Sequence, residues 1–253
     1  MNEQTIFNDL IIAWFILAAI VFVALFFVAA PYGRHTRKGW GPAINNKAGW
    51  VIMEAASPIA FAICFLLGSN ARTITVLTFF VLWEAHYVHR AFIYPLGLRS
   101  KNRQMPLAIL GFALIFNAVN GYLNGRYIFT FSDGYTTQWL GDIRFIIGAV
   151  LFIAGFIINR RADQILRNLR APDKSGYKIP RSGLYRWISC PNYLGEIITW
   201  VGWALATWSI AGLAFAVWTA ANLVPRARSH HAWYQEYFPD YPQERKSLVP
   251  RLW

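Results

Sequence analysis

The chain carries a series of apolar runs, each near or beyond the length a helix needs to cross a bilayer. They lie around residues 6–30, 48–67, 73–97, 105–124 and 143–159, with a longer stretch across 193–224. A hydrocarbon core roughly 30 Å thick takes about 20 residues of helix, and backbone polar groups inside it must bond within their own segment. Few architectures satisfy both demands. Apolar residues fill 56% of the 253 positions, charged residues 14%, and mean hydropathy is +0.34, which excludes an ordinary soluble domain. The first run is longer than a signal-peptide core and has no basic segment before it, so it reads as a retained span. Cys64 lies in an apolar run and Cys190 in a basic segment, and both read as reduced thiols.

A net charge of +12 would suggest nucleic acid in a soluble protein, but here the basic residues sit between apolar runs and report topology instead. Of 24 Lys and Arg, four lie in 33–47, three in 98–104, eight in 160–187 and five in 226–253; Arg72, Arg90, Arg126 and Arg144 fall elsewhere. The positive-inside bias therefore puts the first, third and fifth connections and the C-terminal tail in the cytoplasm, with the N-terminus outside, near Glu3 and Asp9. Tail and fifth connection share a side only if 193–224 crosses twice, joined near Thr207-Trp208-Ser209. The expectation is an all-α polytopic membrane protein of seven spans, against a competing reading with one long helix across 193–224. The fifth connection, about 160–190, is punctuated by Pro172, Gly176, Pro180 and Gly183 and reads as a binding loop.

Ionisable residues inside the apolar runs point to chemistry, because a charge in hydrocarbon is costly unless it is paired or faces a polar cavity. Glu54 lies near the start of the second run; the plain alternative is a helix-end carboxylate reaching interfacial water. Trp83-Glu84-Ala85-His86-Tyr87-Val88-His89-Arg90-Ala91-Phe92-Ile93-Tyr94 concentrates polar and aromatic groups in the third. Helical spacing puts Glu84, Tyr87 and Tyr94 on nearly one stripe and His86 with Arg90 on another. The HxxH spacing of His86 and His89, with no HExxH or Cys cluster near it, points to hydrogen-bonded histidines and no metal. Tyr87 can present its O–H to a substrate carbonyl, or it can serve as a packing tyrosine.

A second constellation runs from Asn159 to Glu196. Asn159, Asp163, Arg167 and Arg170 follow helical spacing and offer an amide, a carboxylate and two guanidinium groups, which suits a nucleotide with several phosphates or, alternatively, anionic lipid. Neither a GxGxxG turn nor a P-loop is present, so a Rossmann domain is excluded as the binder. Asn192 is expected to cap the helix that follows it, and Glu196 is a further carboxylate at a membrane boundary. The C-terminal segment Pro225 to Tyr234, with His230-His231, continues the polar-aromatic pattern.

From about Tyr32 to Trp253 these residues resemble the steroid 5α-reductase family. The landmarks are Tyr32-Gly33-Arg34-His35-Thr36, Glu54, His86 through Tyr94, Asp142-Ile143-Arg144-Phe145, Asn159 through Arg170, Tyr177-Lys178-Ile179-Pro180, Asn192 through Ile198, and His230-His231 with Tyr234. The resemblance implies a seven-helix, monomeric enzyme that uses NADPH to reduce the Δ4 double bond of a 3-oxo steroid or related lipophilic enone. It implies a single domain over 1–253, with substrate-side helices over about 6–124 and a cofactor-binding half over about 140–253. Tyr87 and Glu54 would act at the C3 ketone, with hydride reaching C5, and Met53 and Arg90 would line the substrate site. The cofactor would meet Tyr32, His35, Asn159, Asp163, Arg167, Arg170, Tyr177, Asn192, Glu196, Arg226, His230, Tyr234 and Arg245, from the cytoplasmic face of a bacterial inner membrane or an endoplasmic reticulum.

Two departures stand out. Family members often carry Gln where this chain has Met53, and the segment Gly97 to Pro106 is longer than the family's loop, leaving open which of Arg99, Lys101, Asn102 and Arg103 meets the cofactor. The C-terminal motif also resembles isoprenylcysteine-type methyltransferases that use S-adenosylmethionine, and other membrane sterol reductases; Glu54 and the His86–Tyr94 cluster argue against the former. A proton-coupled transporter would use the same buried acids, but no inverted repeat supports one.

Overall fold

A computed structural model describes residues 2–28, 41–98, 104–169 and 177–253. Among them are seven long helices: α1 Glu3–Phe27, α2 Asn46–Leu67, α3 Ile74–Val88, α4 Leu107–Arg126, α5 Ile143–Leu169, α6 Pro191–Thr207 and α7 Ile210–Tyr237. The protein is all-α and a polytopic membrane protein. Five segments are long and apolar enough to cross a bilayer, namely α1, α2, Leu107–Phe131 (α4 with its π turn), α5 and α7. Of the remaining two, α6 falls short by length at 17 residues, whereas α3 widens into a π turn at His89–Ile93, continues to Leu96 and is interrupted by the polar groups from Glu84 to Arg90. Large apolar side chains face outward along these rods, with Leu66 67% and Phe112 68% exposed, as lipid-facing surfaces require.

The break within 193–224 lies where the charge argument put it. Helix α6 ends at Thr207, Trp208 takes φ 47°, and α7 begins at Ile210. A left-handed tryptophan is strained, and its neighbours hold it: the Tyr135 hydroxyl donates to the Thr207 carbonyl at 2.7 Å, and the Thr207 and Ser209 hydroxyls are 2.8 Å apart. The all-α expectation needs one addition. Ala43–Asn45 (β1) and Gln104–Pro106 (β2) form an antiparallel pair, Ile44 opposite Met105. Strands of three residues are too short to show a period of two.

The described chain forms two compact units. The first holds Met1–Ile11, Pro31–Ile146 and Thr207–Ala211, the second Ile12–Ala30, Ile147–Ala206 and Gly212–Trp253. Within the first, α2 and α4 meet backbone to backbone: a Cβ built on Gly121 would lie 2.5 Å from the Ser57 carbonyl oxygen, and one on Gly125 2.6 Å from Cys64 Cβ. Without a hydrophobic force between helices in lipid, such close approach is a main source of their attraction. Thr73 caps α3, its hydroxyl accepting from Val76 N–H and donating to the Tyr135 carbonyl at 2.7 Å. The Asp142-Ile143-Arg144-Phe145 landmark opens α5: Asp142 accepts from Arg144 N–H at 2.8 Å and takes both arms of its guanidinium. That pairing holds the Asp142 carboxyl down at about 2.

Within the second unit, α5 and α6 approach at Gly148, Gly155, Gly195 and Gly202, each at a point where a Cβ would fall 2.3–2.5 Å from a backbone nitrogen of the facing helix. Helix α1 joins α7 through Trp14 and Trp218, whose rings lie 5.2 Å apart, the Trp218 indole donating to the Trp14 carbonyl at 2.8 Å.

Candidate active site

In the first unit the acid of α2 meets the polar stretch of α3. Arg90 Nε lies 3.2 Å from Glu54 Oε1, and Glu54 is 7% exposed. Breaking so enclosed a pair would leave an uncompensated charge, so each partner fixes the other. The guanidinium also sits 5.1 Å from the Trp50 ring and 5.6 Å from that of Tyr94, in reach of cation–π attraction. Tyr87 is buried, with Trp83 and His86 each 5.2 Å away, centroid to centroid.

The stripe expected for Glu84, Tyr87 and Tyr94 is interrupted. The π turn at His89–Ile93 falls between the two tyrosines, its i→i+5 bond running from Tyr94 N–H to the His89 carbonyl, and Tyr94 packs on Trp50 instead. Such wide turns recur at functional sites because they re-aim side chains. Glu84 is half-buried, and its buried Oε1 makes no hydrogen bond to a described residue. Met53 is buried one residue before Glu54. His86 and His89 are buried, and no three of His, Cys, Asp and Glu gather into a metal-holding group among the described residues.

Sequence reading overlooked a polar stripe on α4. Asn117, Asn120 and Asn124 are all buried; Asn120 and Asn124 bond carbonyls of their own helix at 2.9 and 3.0 Å, whereas the Asn117 amide does not. The signal was available as three asparagines at i, i+3 and i+7 in an apolar run.

In the second unit the close contact of α5 and α6 assembles four of the expected residues. Asn159 donates to the Asn192 carbonyl at 2.9 Å and to Glu196 Oε2 at 3.0 Å, Asn192 donates to Asp163 Oδ1 at 3.1 Å, and the Trp200 indole donates to Glu196 Oε1 at 2.9 Å. The expected capping role of Asn192 is corrected: α6 starts one residue earlier at Pro191, whose missing N–H costs nothing there, and the Asn192 amide is turned to Asp163. Arg226 donates to the Tyr193 hydroxyl at 3.1 Å, and that hydroxyl is 3.3 Å from His230 Nε2. Tyr193 thus links Arg226 to His230; the sequence reading quoted it in a motif without giving it a role.

Tyr177 and Tyr234 belong to an aromatic group: Trp233 lies 4.9 Å from Tyr177 and 5.2 Å from Tyr234. Arg167 donates to Gln164 at 2.6 Å. Tyr185 is 1% exposed, and burial pushes its phenol well above the ordinary value, so it stays neutral while reaching the Ala162 carbonyl at 3.5 Å. Arg245 donates to the Pro180 carbonyl at 2.9 Å, and its guanidinium lies 5.1 Å from the Tyr241 ring, which is stacked on Tyr234 at 5.3 Å. Tyr32, His35, Arg99, Lys101, Asn102, Arg103 and Arg170 lie outside the described residues.

Comparison with known proteins supplies what the geometry alone does not. A family model described as 3-oxo-5-alpha-steroid 4-dehydrogenase matches residues 103–253. The chain is 39% identical to the steroid 5-alpha-reductase DET2 of Gossypium hirsutum, over 100% of this chain and 99% of that protein. It is 40% identical to the 3-oxo-5-alpha-steroid 4-dehydrogenase 1 of Bos taurus over 93% of each, and 40% identical to that of Homo sapiens over 87% of this chain and 85% of the relative.

Proposed function

The chain belongs to the steroid 5α-reductase family, and on that premise we propose that it reduces the Δ4 double bond of 3-oxo-Δ4 steroids with NADPH. It is a multi-pass membrane oxidoreductase acting on CH–CH bonds, from a family that is NADPH-dependent. The observation that carries the proposal is the full-length likeness to named steroid 5α-reductases; the roles given below to Glu54 and Tyr87 are those the family resemblance implies.

The donor set suits such a cofactor. Arg167 and Arg226 provide guanidinium groups for phosphate oxygens, while Asn159, Asn192 and Glu196 pair amide with carboxylate, the combination that complements a carboxamide. Asp163, Tyr177, His230 and Tyr234 complete the residues assigned to hold it. When bound, NADPH supplies the hydride that saturates C5.

This chain's residues act at the other end of the enone. As C5 gains its hydride, charge moves through C4 and C3 to the ketone oxygen, and a donor poised there lowers the barrier. Tyr87 donates to that oxygen, its ring enclosed by Trp83 and His86, away from competing water. Glu54 lies at the same end of the enone, its position set by Arg90; the enolate left by hydride addition then takes a proton from solvent at C4, which returns the C3 ketone and completes the addition of two hydrogens. Arg90 is accordingly a positioning residue in this reading, and Met53 faces substrate where many relatives carry Gln.

Purified protein given NADPH and a 3-oxo-Δ4 steroid should lose NADPH absorbance and yield a product heavier by two hydrogens. Methyl transfer from S-adenosylmethionine with no NADPH oxidation by any enone would overturn the assignment. We also propose seven spans with the C-terminus cytoplasmic, supported by the alternating basic connections and the break at Trp208. A reporter fused after Trp253 should be active only in the cytoplasm; periplasmic or lumenal activity would rule this orientation out.

A further inference from the structure

One cavity shares only Arg245 with the residues that the family resemblance assigns to substrate and cofactor. It is an open hollow of about 330 Å³ in the second unit, between the last turns of α7 and the tail that follows. Arg228, His231, Arg245 and Lys246 line it together with Gln235 and Gln243, and no carboxylate side chain does. Helical spacing separates its α7 residues from the cofactor residues proposed on the same helix. Arg226, His230 and Tyr234 recur every four residues along one face of α7, whereas Arg228, His231 and Gln235 follow i, i+3 and i+7 along another.

The cavity is built rather than incidental. Ile188 and Lys246 form a parallel bridge, with Lys246 N–H donating to the Trp187 carbonyl at 3.0 Å and Ser189 N–H to the Lys246 carbonyl at 2.9 Å. The Ser189 hydroxyl lies 2.6 Å from His231 Nδ1 and 2.6 Å from the Tyr241 hydroxyl, locking the tail to α7. Arg245 is 4% exposed, and its buried Nε makes no hydrogen bond to a described residue, although the guanidinium reaches Pro180. Clustered cations held by fixed backbone, one with a donor to spare, call for an anion.

The position of the cavity indicates the source of that anion. The Arg228 guanidinium lies 5.6 Å from the Phe26 ring, in the last turn of α1, and Phe27 beside it is 83% exposed. Arg228 therefore stands where an apolar helix ends, and a helix that spans a bilayer ends near the lipid phosphates. Leu252 and Trp253, both exposed and both at the cavity, add apolar surface of the kind that rests at a membrane interface.

We propose that this cavity is a binding site for the phosphate of an anionic phospholipid headgroup, held by Arg228, Arg245 and Lys246. It would anchor the tail that closes the second unit, outside the reaction the enzyme performs.

The full chain would be reconstituted in nanodiscs of equal phosphatidylglycerol and phosphatidylcholine, or of phosphatidylcholine alone, and the lipids retained on release would be read by native mass spectrometry. Wild type should retain phosphatidylglycerol selectively and unfold at a higher temperature in its presence. An Arg228→Gln/Lys246→Gln double variant should lose about tenfold or more of that selectivity, because two basic groups near the headgroups are removed together. A Lys178→Gln/Arg186→Gln variant, with the same charge change at exposed positions outside the cavity, should keep it. Equal losses in both variants would reduce the effect to general surface charge and overturn the site. So would displacement of the lipid by saturating NADPH, which would give the cations to the cofactor, or equal stabilisation by inorganic phosphate. These outcomes do not depend on turnover, so failure of the site leaves the proposed reaction standing.

Discussion

Tyr87→Phe is expected to lower turnover by roughly 100- to 1,000-fold, the scale on which loss of one donor to a developing oxyanion acts, while NADPH affinity stays within about threefold. The substitution removes a single oxygen from a side chain that is 2% exposed and packed against Trp83 and His86, so the ring keeps its contacts and the fold keeps its core. The loss should appear in kcat and in kcat/KM alike, because the hydrogen bond strengthens only as charge reaches the ketone oxygen. Single-turnover measurements with prebound NADPH separate this step from cofactor exchange. Turnover within threefold of wild type would remove Tyr87 from the chemistry and leave it a packing residue.

The second large effect concerns architecture. Gly195→Leu should prevent α5 and α6 from closing and cost at least about 3 kcal/mol, beyond ordinary overpacking, because the obstruction is backbone. A Cβ at Gly195 would lie 2.5 Å from Asn159 N and 2.7 Å from the Gly155 carbonyl oxygen, and neither can swing aside as a side chain would. Separation of these helices breaks the bonds from Asn159 to Asn192 and Glu196, so NADPH binding should be lost together with the thermal transition in detergent. Gly141→Ala serves as the control, since nothing lies within 4 Å of its built Cβ. An unchanged unfolding temperature in Gly195→Leu would show that the helices tolerate wider spacing.

The two effects differ in how far the residues themselves announced them. Tyr87 could be singled out because a phenol, two histidines, a glutamate and an arginine inside one apolar run are too costly to be accidental. Gly195 could not, because a glycine in an apolar run is common in membrane helices and its partner, Gly155, lies 40 residues earlier. The same holds for Asn192: at the head of a helix it reads as a cap, and only the approach of α5 turns its amide to Asp163. Tyr193 was visible in its motif, but its hydroxyl acquires a role only when Arg226 and His230 arrive from α7.

By itself, the order of residues determined that the chain forms membrane helices, where most of them begin, and that 193–224 divides at Thr207-Trp208-Ser209, whereas α5 and α7 run ten and thirteen residues past their apolar runs, to Leu169 and Tyr237. These properties follow from local quantities: the length of apolar runs, the cost of charge in hydrocarbon, and the alternation of basic connections. Only the tertiary structure decided that Glu54 is held by Arg90, that a π turn parts Tyr87 from Tyr94, and that Arg245 faces a cavity on another side of α7 from His230. Each is a pairing between positions distant along the chain, or a register shift of one residue. Their energies arise from contact between helices, and no single helix carries that information.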